Sequence, residues 1–81
     1  KGRHPMDNVK FLTELVTQEV VGYIVADESV EYDEAIDRFY TSDTFQKLSD
    51  ADTGLYRESS AYLYELYKTE RATGKITPTD I

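Results

Sequence analysis

The chain has 81 residues, a net charge of −7 and no cysteine. That length admits one domain, and the acidic balance argues against binding nucleic acid across a broad basic surface, which needs clustered Lys and Arg. Without cysteine there can be no disulfide, thiolate nucleophile or cysteine-based zinc site.

Lys1-Gly2-Arg3-His4-Pro5 precede the lone methionine, Met6, and read as a basic leftover of expression ahead of the native start. The single histidine, His4, falls inside it. Residues 6–73 are expected to form one helical domain, and 74–81, with Gly74 and Pro78, a flexible tail.

The first helix is expected from about Asp7, a good N-cap type, to about Ala26. One arc of it holds Val9, Leu12, Val16, Val20, Tyr23 and Ile24 and should face the core. Phe11, Leu15, Val21 and Val25 lie outside that arc, so the helix is apolar around more than half its circumference. These four side chains are the candidate self-association surface, with helix one meeting its own copy in a homodimer. The apolar run 20–26 covers seven residues, far short of the ~20 that span a bilayer. A cytoplasmic protein without membrane contact is expected.

A second helix should cover Tyr32–Tyr40, with Asp33 and Glu34 in its first turn, where the helix dipole favours anions. Ser42 or Thr41 then caps a short third helix, about Asp43 to Leu48, which buries Phe45 and Leu48. The segment 49–54 carries turn chemistry. A fourth helix is expected from Leu55 or Arg57 to Thr73, closed by Gly74. With Tyr62 at the centre of its core face, Leu55, Ser59 and Leu66 fall inside, Leu63 at the edge and Tyr67 between the faces. Tyr64 falls on the far side, beside Arg57, Lys68 and Arg71. There it is either a candidate contact residue or a cover for neighbouring side-chain stems.

The pattern predicts an all-α, single-domain bundle of about four helices, two long and two short. Helices one and four should pack across a core of Leu12, Val16, Val20, Tyr23, Ile36, Phe39, Phe45, Leu48, Leu55, Tyr62 and Leu66.

Chemistry is sparse in this pattern. Asp50, Asp52 and Gly54 imitate the start of a calcium loop, but an EF-hand places an oxygen ligand fifth, Gly sixth and Glu twelfth. Here those positions hold Gly54, Leu55 and Ala61, so the aspartates read as turn caps. Ser59 and Ser60 have no nearby histidine, and neither a Gly-rich phosphate loop nor an HExxH pattern occurs. No catalytic, cofactor-binding or metal-binding residue is nominated, and an enzyme is not expected.

Charge is the sharper signal. Residues 26–53 hold nine acidic and two basic side chains, whereas 54–81 hold four of each. Asp27, Glu28, Glu31, Asp33, Glu34 and Asp37 form a candidate partner-binding segment that would steer a basic protein. Its plain alternative is a solvated face that keeps the chain soluble. Two functions follow: a non-catalytic module that binds a protein partner, or an acidic mimic of nucleic acid that blocks a DNA- or RNA-binding protein. Salt separates them, because the mimic's binding should collapse between low and moderate salt.

Two segments, YDEAIDRFYTSDTFQKLSD (32–50) and TGLYRESSAYLYEL (53–66), resemble a family of small bacterial helical proteins. Its members share an EAL…Y-x-S-x-T-aromatic-x-x-L stretch and a later TGLY…S…YLYELL stretch. The similarity covers about residues 9–72, and the chain departs from the pattern at Ile36 and Tyr67, where the family has Leu. It implies genes often lying beside toxin-like ones, hence an antitoxin-like, partner-binding role, and it carries over no catalytic residue.

Overall fold

The computed structural model describes residues 5–74, with side chains from Asn8 onward. Of the expected leader 1–5 and tail 74–81, residues 1–4, including His4, and 75–81 lie outside the described residues, whereas Pro5 opens the first helix and Gly74 closes the last.

Helix α1 spans Pro5–Glu28, so it starts two residues before Asp7 and runs on past Ala26. Proline suits a first helical turn, where its missing N–H would have no intrahelical partner. The helix stops at Ser29, which enters the left-handed region at φ 56° while its N–H donates to the Val25 carbonyl at 3.0 Å. A side chain in that conformation costs about 1–2 kcal/mol.

Helix α2 spans Tyr32–Tyr40, and α3 spans Asp43–Ser49. Ser42 caps α3, its Oγ accepting from the Phe45 N–H at 3.1 Å. Two 3₁₀ turns follow, Ala51–Thr53 and Leu55–Arg57, with Gly54 between them at φ 71°. Helix α4 spans Ser60–Thr73, capped by Ser59 and closed by Gly74 at φ 89°. The expected start at Leu55 or Arg57 is therefore corrected. A 3₁₀ turn and the extended residue Glu58 intervene, and Ser59 is an exposed cap, not a core residue. The described residues contain no strand, and the fold is an all-α bundle.

Phe39 lies at the centre, fully buried, with its ring 5.5 Å from that of Phe45 and 5.9 Å from that of Tyr67. Around it pack Val16, Val20, Val21 and Ile24 of α1, Ala35 of α2, Leu48 of α3, and Leu55, Leu63 and Leu66. Burying each of the larger aliphatic side chains contributes about 1.5–3 kcal/mol. Leu12, Ile36, Phe45 and Tyr62 are only half-buried. The second half of α1 and the first half of α4 run alongside each other in the same direction. Tyr23 meets Ser60 and Tyr64 there, and four residues later Asp27 meets Tyr64.

The buried face of α1 is rotated from the expected arc. Val21 is 1% exposed, and Val25 packs partly against the core. Tyr23, expected inside, is exposed because its hydroxyl end reaches the surface beside Ser60. Contacts with α2 and α4 cover the inner side of the helix, and within its broad exposed side, which also carries Glu14, Gln18, Glu19 and Tyr23, the small and apolar residues form one narrow outer stripe. Gly22 lies on that stripe, exposed, and a β-carbon there would meet nothing within 4 Å. Glycine inside a helix costs roughly 0.5–1 kcal/mol relative to alanine, and no contact within the chain accounts for it.

Candidate functional site

The six acidic residues nominated from the sequence divide into two sets. Asp27, Glu28 and Glu34 are engaged inside the molecule. The Arg38 guanidinium pairs with Glu28 and, at 3.0 Å, with Glu34, tying the end of α1 to α2. Those hydrogen bonds, Glu34 first and then Glu28, hold Arg38 above its ordinary pKa. Asp27 accepts a hydrogen bond from the Tyr64 hydroxyl at 2.8 Å. Glu31, Asp33 and Asp37 remain exposed, and their carboxylates have no partner among the described residues.

Tyr64 is corrected outright: it is buried, not exposed among basic residues. Its ring lies 5.3 Å from that of Tyr23, with the Lys68 ammonium 5.0 Å from its centroid. Burial raises its phenol above the ordinary value of 10.0, and the bond to Asp27 and the charges of Asp27 and Glu28 push the same way. The Tyr67 phenol is raised by burial and by Glu28, against the opposing charges of Arg71 and Arg38. The Tyr67 hydroxyl is buried without a hydrogen-bond partner among the described residues.

Glu70, which sequence reasoning passed over, joins α4 to α3. One of its oxygens accepts from the Thr44 N–H at 3.0 Å and the Thr44 hydroxyl at 2.9 Å, and the other from the Asp43 N–H at 2.9 Å. A carboxylate there meets both the orphan amides and the positive end of α3. The legible signal is a seven-residue helix opening on Asp43-Thr44, too short to stand without such support.

Outside these contacts, α2 turns a single face to solvent. Asp33, Asp37 and Tyr40 follow one another at helical spacing on it, with Tyr32 at its edge. Tyr32 is 55% exposed and Tyr40 52%. Tyr40 stacks on Phe45 at 4.5 Å, and both rings line a cleft of about 340 Å³ between the first half of α1 and α3, with Val9, Thr13 and Thr17 opposite. A second cleft, of about 280 Å³, is polar and lies between Arg38, Ser42, Tyr67, Glu70 and Arg71. The acidic face and the mainly apolar first cleft thus share Tyr40.

Of the four self-association candidates, Phe11 and Leu15 are exposed, whereas Val21 and Val25 face inward. Among the described residues no group of three or more His, Asp or Glu side chains is arranged to hold a metal ion. No described helix is long and apolar enough to cross a membrane. No protein-family model, no curated protein and no solved structure matches this chain.

Proposed function

We propose that this chain is a non-catalytic interaction module, antitoxin-like in the sense of the family it resembles, that binds a basic protein through the outer face of α2. The observation that carries the reading is the pairing of free carboxylates, Asp33 and Asp37, with exposed rings, Tyr32 and Tyr40. Carboxylates attract Lys and Arg, and a tyrosine face takes a guanidinium by stacking. The cleft beside Tyr40 offers room for an apolar side chain of the same partner. Half of the acidic candidates are already satisfied internally, which leaves a small mixed patch instead of a long phosphate-like array. That favours a protein partner over nucleic-acid mimicry.

Capture of binding proteins from a bacterial lysate tests the reading. A chain carrying Asp33→Asn, Asp37→Asn and Tyr40→Ala should lose the captured protein while keeping its circular dichroism. Capture that survives moderate salt fits a partner held partly by apolar contact. Undiminished capture by the triple variant would refute the α2 face. A nucleic-acid-binding protein released between low and moderate salt would point to the mimic.

A further inference from the structure

We propose that the outer stripe of α1 pairs antiparallel with the same stripe of a second copy of this chain, about a twofold axis between Gln18 and Glu19. Phe11 and Leu15 are 63% and 43% exposed, and Gly22 and Ala26 are exposed as well. At about 100° per residue these four fall within a narrow arc, on the side opposite Val20 and Ile24. Covering them leaves the core untouched.

The stripe is graded. Its first half carries the two large side chains, and its second half the two smallest. An antiparallel copy turns this grading into a fit, because Phe11 and Ala26 are equidistant from the point between Gln18 and Glu19, and so are Leu15 and Gly22. In that register Phe11 lies over the partner's Ala26 and Leu15 over the partner's Gly22, while the two Gln18 side chains meet beside the axis. A parallel copy would set Phe11 on Phe11 and leave a gap between the two glycines.

Gly22 supplies a separate argument. It weakens the middle of the longest helix, takes no left-handed conformation and makes no close contact inside the chain. A second helix backbone approaching at Gly22 gives the missing side chain a purpose. One helix carries both the knobs and the matching gaps, related by a single twofold, and this singles out a second copy over an unrelated helix. The same register sets the two Glu19 carboxylates near each other on one flank of the axis, which is unfavourable and therefore diagnostic.

Sedimentation equilibrium of the full chain at micromolar concentrations is expected to give a dimer. Gly22→Leu should weaken it roughly tenfold or more, because overpacking acts twice across the axis, with helicity retained. Removing the Glu19 repulsion with Glu19→Gln should tighten the dimer about two- to fivefold. The chain has no cysteine of its own, so single-cysteine variants report the register. A short bis-maleimide should join Gln18→Cys chains and leave Phe11→Cys chains, about 22 Å apart along the axis, unlinked. A monomeric mass at the highest concentration, a dimer indifferent to Gly22→Leu or to Glu19→Gln, or equal linking of the two cysteine variants would each overturn the proposal.

Discussion

Tyr64 and Tyr67 stand almost one turn apart on α4, both buried, yet their hydroxyls end differently. That of Tyr64 donates to Asp27, and that of Tyr67 has no partner among the described residues. The same substitution should therefore act with opposite sign at the two positions. Tyr64→Phe removes a hydrogen bond to a charged acceptor and should cost about 1–2 kcal/mol. Tyr67→Phe removes a buried, unsatisfied hydroxyl and should leave stability level or raise it by about 1 kcal/mol. Urea denaturation of the two variants beside the parent checks both. An apolar residue suits the Tyr67 site on packing grounds alone.

At the level of elements, α2, the Ser42 cap of α3 and the Gly74 close of α4 were legible because local chemistry decides them. Ser42 and Gly74 act through their own neighbouring backbone, whereas Ser59, expected in the core, caps α4. What escaped was rotational phase. Leu55 sits in a 3₁₀ turn, so its angle has no fixed relation to Leu63 and Leu66 in α4. Counting one continuous helix from 55 turned Tyr64 outward. On α1, Val21 and Tyr23 are both apolar enough to bury, and only the positions of α2 and α4 decide which flank is covered. Glu70 escaped for a related reason, since its partners Asp43 and Thr44 are far away in sequence. Glu70→Ala should cost about 2–3 kcal/mol by removing a charge-assisted cap, and Glu70→Gln, which keeps one carbonyl acceptor, should cost less. Chemical denaturation read by circular dichroism measures that order.

For the molecule as a whole, pH enters through the two buried phenols. Both are held above the ordinary value of 10.0, so the folded chain keeps those protons more tightly than the unfolded chain. Their contribution is complete below about pH 10 and is lost as the pH rises beyond it. The urea midpoint should accordingly fall once the pH passes about 10, and the fall should be shallower in the double variant Tyr64→Phe, Tyr67→Phe. A double variant that declines as steeply as the parent would remove these phenols as the cause. The acidic balance of residues 26–53 acts on a longer range, as a negative potential that resists self-encounter except where apolar surface prevails.

The carboxylate that joins the last turn of α4 to the first turn of α3 also bears on time. Helix ends fray more readily than helix middles, and Glu70 lies only four residues before the closing Gly74. Each time that last turn opens, α3 loses the Glu70 acceptor of its Asp43 and Thr44 amides and keeps only the Ser42 cap. The two segments, far apart along the chain, are therefore expected to open together, ahead of the middle of α1, in amide hydrogen exchange. During folding the order should reverse, with α3 gaining the Glu70 acceptor only once α4 has formed and docked.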